Sequence, residues 1–228
     1  MMLHLKSVLT DDEVAAVRNI LAAAEWVDGR LTSGTQSADL KRNRQLPEQG
    51  AACQQAQQIV LSALRRNQLF FSAALPGKIS PPLFSWYEAG DYLDDHVDVA
   101  LRYSGGERVR GDLSCTLFLS EPDSYTGGEL VIADAWRDEV VKLAAGDMVL
   151  YPANRVHRVK PIEAGARLAC FFWIESMVRS AEQRDLLFEM DRNLMQLRAE
   201  PAATAEASAA LLGLTGVYHN LLRQWADS

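Results

Sequence analysis

No apolar run in this 228-residue chain approaches the roughly 18 to 20 residues that a membrane-spanning helix requires. The segment Met1 to Leu9 also lacks the basic flank and long apolar stretch of a secretory leader, so the expected location is the cytoplasm, with no membrane partner. Cysteine is scarce. Cys53, Cys115 and Cys170 lie far apart, none in a Cys-x-x-Cys pair, which excludes a disulfide scaffold or thiolate zinc site and suits reduced core residues. Basic charge is not in excess either: 23 Lys plus Arg stand against 30 Asp plus Glu, for a net charge of −7. A phosphate backbone is bound through surplus Lys and Arg, so nucleic acid is not an expected partner. What remains is ordinary globular material, 48% hydrophobic and 23% charged, long enough to bury a sizeable core without staples.

Thr10-Asp11-Asp12-Glu13 has the form of a capping box, and Val14, Val17 and Leu21 follow at helical spacing, which predicts a helix from Asp11 to about Ala24. Thr32 to Gln45 is rich in Ser, Gly, Thr and Asn and reads as a loop. Gln54 to Asn67 places Ala56, Ile59, Val60, Ala63 and Leu64 on one stripe and predicts a second amphipathic helix. From Leu69 onward the breakers Leu75-Pro76-Gly77 and Pro81-Pro82 introduce short runs rich in β-branched and aromatic residues. The expected strands are Leu83 to Tyr87, His96 to Tyr103, Asp112 to Ser120, Glu129 to Ala133, Glu139 to Leu143, Asp147 to Tyr151, His157 to Lys160 and Arg167 to Ile174. Turn signals fall between them at Ser104-Gly105-Gly106, Thr126-Gly127-Gly128, Gly146-Asp147 and Ala164-Gly165. Strands of this length with no helices between them point to an antiparallel sandwich or barrel of jelly-roll type. The Leu186, Leu187, Met190, Leu194 and Leu197 stripe predicts a helix over Gln183 to Arg198. Glu200 to Ala209 reads as a connector running into a helical start, and Leu211 to Trp225 as a last apolar segment.

The chain has four histidines, so each can be weighed singly. In His96-Val97-Asp98 a strand's two-residue period would put imidazole and carboxylate on one face, where they can grip a divalent metal. That spacing alone is weak, with roughly 0.3 occurrences expected by chance from such a composition. His157 strengthens it. If His157 opens a hairpin whose return strand begins at Arg167, alternation places both on one inner face with Arg158 and Lys160 pointing out. Two histidines and one carboxylate on one side of a metal leave positions open, the facial arrangement of non-haem Fe(II) oxygenases. A deeper arginine fork can hold a planar carboxylate through two hydrogen bonds. Together these describe a pocket for 2-oxoglutarate.

Trp86-Tyr87-Glu88-Ala89-Gly90, His96-Val97-Asp98, Gly127-Gly128-Glu129-Leu130, Gly146-Asp147-Met148-Val149-Leu150-Tyr151-Pro152, His157 and Arg167 occur in this order. The set resembles the Fe(II)/2-oxoglutarate prolyl-4-hydroxylase-like superfamily. The segments 23–30, 41–47 and 218–222 narrow the resemblance to the bacterial PKHD-type hydroxylases associated with iron uptake, over nearly the whole chain. This resemblance implies an α+β chain with a mainly β core: a distorted double-stranded β-helix (jelly roll) with N-terminal helices and a C-terminal helical extension. The expected divisions are residues 1–80, 81–178 and 179–228. It implies iron ligation by His96, Asp98 and His157, 2-oxoglutarate binding by Arg167, and a place for Tyr87 beside the cosubstrate. The implied cofactors are Fe(II), 2-oxoglutarate and O2, with L-ascorbate as a further candidate. The implied activity is hydroxylation of a small-molecule or peptidyl substrate coupled to formation of succinate and carbon dioxide, linked to iron uptake. An intact Asp98 favours hydroxylation, because related halogenases carry a small residue there.

Each of these residues also has a plainer reading. His96 and Asp98 could be a strand-end histidine beside a solvated acid, and Arg167 a structural ion pair with Glu163 or Glu175. His4 and His219 lack partner spacing and read as structural or surface residues. The acidic run Asp91, Asp94 and Asp95 reads as solvated loop, whereas Lys41, Arg42 and Arg44 lie where a loop could cover a site. A non-catalytic jelly roll that senses iron or binds a small carboxylate would use the same pocket. A nucleic-acid demethylase would carry a second arginine where this chain has Trp173. The C-terminal helices offer an apolar surface through which two copies could pair.

Overall fold

Alternation of side chains along the middle of the chain decides which face of a large sheet meets helices and which faces a cavity. The computed structural model describes residues 2–32, 40–104, 106–199 and 204–227. The N-terminal third runs β1 (Leu3–Leu5), α1 (Asp11–Ala22), β2 (Val27–Asp28), β3 (Lys41–Arg42), β4 (Arg44–Gln45), α2 (Ala51–Arg66), α3 (Gln68–Ala74) and β5 (Pro76–Ile79). The middle runs β6 (Leu83–Glu88), β7 (Tyr92–His96), β8 (Leu101–Ser104), β9 (Glu107–Arg110), β10 (Leu113–Phe118), β11 (Tyr125–Gly127), β12 (Leu130–Ile132) and β13 (Glu139–Val141). It ends with β14 (Met148–Pro152), β15 (His157–Val159) and β16 (Ile162–Ser176), and α4 (Ala181–Ala199) and α5 (Ala205–Trp225) close the chain. No helix among the described residues is long and apolar enough to cross a membrane.

The main sheet has nine strands in the order β1-β14-β10-β16-β6-β4-β2, with β5 and β11 also paired to β16. A second sheet runs β13-β12-β15-β7-β3, and β8 and β9 form a separate hairpin. All pairs are antiparallel, as the strand-only middle of the sequence implies. On β16, Leu168, Cys170, Phe172 and Ile174 join the core that packs against α1, α2 and α3. The intervening Arg167, Ala169, Phe171 and Trp173 line the cavity on the other face. Phe84, Leu117 and Phe172 in that helix-side core are at most 1% exposed, and burial of each contributes about 1.5–3 kcal/mol. A second apolar cluster joins the two sheets, with Phe118, Val149 and Tyr151 from one and Leu130, Ile132 and Val159 from the other. The three cysteines are free and buried.

The helices begin for local reasons. Thr10 accepts from Glu13 N (3.3 Å) and its own N–H donates to Glu13 Oε2 (2.9 Å), so the capping box forms and α1 stops at Ala22. The unpredicted α3 follows a break at Asn67, whose side chain accepts from Phe70 N at 2.9 Å. Ser72 Oγ donates to Asp191 Oδ2 at 2.6 Å and fastens α3 to α4. The apolar segment from Leu211 lies within α5; of the connector before it, residues 200–203 lie outside the described residues.

Several strand expectations need correction. The loop expected over Thr32 to Gln45 has residues 33–39 outside the described residues, but Lys41–Arg42 pairs with β7 and Arg44–Gln45 with β6. These two-residue strands are polar because β3 is the edge of its sheet and β4 lies next to the edge strand β2, where both border solvent and cavity, so composition hid them. The strand expected from His96 to Tyr103 is broken: β7 ends at His96, because its partner β15 begins at His157, directly opposite, and strand structure resumes only at Leu101, in the separate β8–β9 hairpin. Likewise β15 pairs with β12 and β7 rather than with β16, so His157 and Arg167 sit on different sheets rather than on one hairpin. Ala164-Gly165 is no turn. It lies within β16 where β11 crosses, and a Cβ on Gly165 (φ 77°) would meet Ser124 O at 2.4 Å. Residues 1–80 supply strands to both sheets as well as helices.

Gly127 has φ 75°, and a Cβ there would fall 2.1 Å from Pro161 O, a backbone atom that cannot yield cheaply. Gly127→Ala should therefore destabilise the protein by about 2 kcal/mol or more, from left-handed strain plus overlap. The urea midpoint of the variant checks this, and an unchanged midpoint contradicts it.

Candidate metal and carboxylate site

His96 and His157 form a cross-strand pair on β7 and β15, so their side chains leave the second sheet on one face. Their ring centroids are 4.2 Å apart. His96 Nδ1 lies 2.9 Å from Asp94 O, and His157 Nδ1 lies 3.0 Å from Arg155 O. A carbonyl only accepts, so each Nδ1 carries the proton and each Nε2 presents a lone pair. Both Nε2 atoms face Asp98, at 4.0 Å from Oδ1 for His96 and 3.7 Å from Oδ2 for His157. Asp98 comes from the segment just beyond β7, and Ser114 Oγ on β10 donates to its Oδ2 at 2.6 Å. The two-residue period expected for His96 and Asp98 therefore does not apply, yet the chain leaving the sheet still brings the carboxylate beneath both rings. Ligand atoms of the three residues lie within 4.8 Å of one another, near enough to hold one metal ion.

Burial, and then the neighbouring His157, hold the His96 pKa below its ordinary 6.5. The neutral imidazole that a metal needs thus persists to lower pH. Burial also pushes the Tyr151 hydroxyl pKa well up, and its ring meets His157 edge-on with centroids 5.3 Å apart.

Arg167 is 2% exposed and projects into the same cavity, of about 180 Å³. Its Cζ lies 5.4 Å from the centroid of Tyr87, its register partner on β6, and 5.3 Å from that of Phe118. Its Nε and Nη2 are buried without a hydrogen-bond partner. Glu175 instead accepts from Arg110 N at 2.7 Å, so the plainer reading of Arg167 as its ion-pair partner does not hold. A buried guanidinium with an unfilled fork is costly unless an anion completes it. Nε and Nη2 form the edge that takes a carboxylate bidentately. Tyr125 stands beside it, its hydroxyl pKa raised by burial and partly offset by the Arg167 charge. The donors therefore suit both a first-row divalent metal and a carboxylate-bearing cosubstrate.

Of the remaining candidates, Lys41 alone among the described residues reaches this cavity. Asp91 is 8% exposed rather than solvated; its Oδ2 accepts from Glu88 N at 3.0 Å. Asp94 and Asp95 belong to β7, and Asp95 accepts from Arg158 Nη1 at 3.0 Å. Arg158 points away from the cavity, as alternation required. Lys41 lines the cavity, whereas Arg42 meets Asp91 (3.3 Å) and Arg44 meets Glu88 (2.8 Å) outside it. His4 pairs with Asp147 at 2.6 Å, and His219 is exposed on α5. Sequence reasoning missed Ser114, Tyr125, Tyr151 and Arg102. The alternation Ser114, Thr116 against Leu113, Cys115, Leu117 signals a polar inner face on β10, but the others depend on how the sheets meet.

The profile of the 2OG-Fe(II) oxygenase superfamily matches residues 82–175, and that of the PKHD-type hydroxylase C-terminal domain matches residues 182–227. A PKHD-type hydroxylase of Burkholderia thailandensis is 54% identical over 230 residues, covering 100% of both chains. Another from Variovorax paradoxus is 55% identical, again over 100% of both. The fold is similar to that of a Trichoplax adhaerens prolyl hydroxylase in complex with a hypoxia inducible factor oxygen degradation domain peptide fragment. That likeness has a TM-score of 0.55 and 15% identity over 82% of this chain and 86% of that one.

Two outcomes follow for the metal-free protein. Replacing Arg167 with Met removes a buried charge with an empty fork, so Arg167→Met should stabilise it by about 1 kcal/mol or more; a lowered urea midpoint contradicts this. The lowered His96 pKa means the unfolded chain binds protons more readily than the folded one. Its contribution is intact above pH 6.5 and is lost as pH falls below that value. Unfolding midpoints between pH 7.5 and 5 should show that fall, and a smaller fall in His96→Gln.

Proposed function

Because the chain belongs to the PKHD-type hydroxylases of the 2OG-Fe(II) oxygenase superfamily, we propose that His96, Asp98 and His157 hold its Fe(II) and that Arg167 anchors 2-oxoglutarate. The observation carrying this reading is that the three convergent ligand side chains share one cavity with a buried, unfilled guanidinium fork. Fe(II), when bound with 2-oxoglutarate and O2, supplies the oxidation that yields succinate and carbon dioxide and places a hydroxyl on a substrate carbon.

The chain's own residues bind, orient and keep water out. The carbonyls of Asp94 and Arg155 fix the proton on each Nδ1, so both imidazoles would hold the metal through Nε2 without losing a proton. Ser114 holds Asp98 turned toward the histidines. Arg167, between Tyr87 and Phe118, offers Nε and Nη2 to the distal carboxylate of the cosubstrate, which fixes the molecule's direction in the cavity. Leu130, Val159 and Ala169 line the same cavity and lower its dielectric, which strengthens that ion pair. Three protein ligands would leave a bound Fe(II) with further coordination positions for cosubstrate and dioxygen.

Succinate formation by purified protein with added Fe(II) and 2-oxoglutarate under air tests the reading. Asp98→Ala should lower turnover about a hundredfold or more by weakening metal ligation. Arg167→Ala should raise the half-saturating 2-oxoglutarate concentration about a hundredfold, through loss of two charge-assisted hydrogen bonds. Wild-type turnover in Asp98→Ala would remove this triad from consideration, and tight binding of Fe(II) and 2-oxoglutarate without succinate would favour a sensing module.

A further inference from the structure

The cavity does not end at Arg167. It continues past Ala169 and Phe171 to Trp173, six residues and so about 20 Å along β16. At that end a second guanidinium arrives from the β8–β9 hairpin: Arg102 stacks over the Trp173 ring with its Cζ 4.5 Å from the centroid. Val97 and Val99, which precede the hairpin, also line the cavity and are about half exposed, 50% and 53%, so this is the side nearest solvent.

Arg102 Nε is buried and has no hydrogen-bond partner. Glu48 makes a long ion pair with it, an oxygen 3.9 Å from Nη2 and beyond hydrogen-bond reach, and that contact leaves Nε unfilled. Asp98, the other carboxylate acting on Arg102, accepts from Ser114 and faces the two histidines. Lys41 lines the cavity from β3, and burial together with the Arg102 charge lowers its pKa to about 8. Two desolvated cations thus face one space, and the face of one of them is covered by an indole. With one face stacked on the indole, that guanidinium is held with its planar edge, including the unfilled Nε, available to a ligand, the geometry a carboxylate completes.

Resting on the function proposed above, we propose that the substrate carries a carboxylate, held by Arg102 on Trp173 with Lys41 beside it, at the end of the cavity away from Arg167. The cosubstrate's distal carboxylate and the substrate's carboxylate then occupy separate cations, with the His96, Asp98 and His157 triad sharing the cavity. The carboxylate belongs either to a small free acid or to an acidic residue of a peptide.

The test uses full-length protein with Fe(II) and saturating 2-oxoglutarate without oxygen, so that nothing turns over. N-acetylglycine is titrated against its uncharged isostere N-acetylglycinamide, with binding read by ligand-detected NMR. The acid should bind more tightly than the amide by about tenfold or more, since one partner is charged. That preference should vanish in Arg102→Ala, shrink in Arg102→Lys, which keeps the charge but not the fork, and persist in Arg167→Ala. A blocked tripeptide with a central aspartate separates the sources: binding equal to N-acetylglycine assigns a peptide-borne carboxylate, and weaker binding a small acid. No preference for acid over amide, including no binding of either, overturns the proposal, as does a preference that survives Arg102→Ala. The binding of 2-oxoglutarate, measured first in each sample, reports separately on Arg167; its failure would count against the cosubstrate reading and not against Arg102.

Discussion

The two-residue period of β16 is the constraint on which the rest of the molecule depends. Its 15 residues pair with β10 and β6 along the middle and with β5 and β11 near the ends. A slip of one residue would exchange its two faces, turning Arg167 and Trp173 into the helix-side core and Cys170 and Phe172 into the cavity. The bulk of Phe172, Phe84 and Leu117 against α1, α2 and α3 forbids that slip. Apolar packing on one side of the sheet thereby fixes where the cations stand on the other.

Charge in this protein is arranged against its average. The chain is acidic overall, with a net charge of −7, yet its cavity gathers Arg167, Arg102 and Lys41. Two of these are guanidiniums with buried nitrogens lacking partners among the described residues. Each such group costs folding stability until an anion arrives. The folded chain therefore carries an unfavourable term that binding relieves, which is a physical basis for selectivity toward acids over neutral molecules of like shape. Burial of Lys41 works in the same direction, since an adjacent anion favours its charged form.

Much of this was legible in the order of residues. The capping box, the α2 stripe, the strand-only middle and the ordered His96, Asp98, His157 and Arg167 all stood in the sequence, and the structure brings those four into one cavity. The geometric reasons were only partly legible. His96 and Asp98 were expected on one strand and His157 and Arg167 on one hairpin, whereas the ladder stops at His96 and the latter two stand on different sheets. Local periodicity says which face a residue takes on its own strand but not which strand lies opposite. That is why Tyr125, Tyr151 and Arg102 could not be placed in advance. The short strands β3 and β4, at and next to a sheet edge, were hidden because the polarity that marks a loop also marks a strand bordering water or a cavity.

The histidines and the aspartate of the triad are secured in different ways, with a consequence for how the site tolerates change over time. His96 and His157 are oriented by main-chain carbonyls of Asp94 and Arg155, which every residue type possesses. A substitution at Asp94 or Arg155 leaves the acceptor in place, so the proton position on either ring is insulated from point mutation. Asp98 rests on a single hydroxyl, that of Ser114. Hereditary drift and deliberate redesign therefore meet an uneven target: the imidazoles are robust by construction, and the carboxylate is the ligand whose alignment one nucleotide change can loosen.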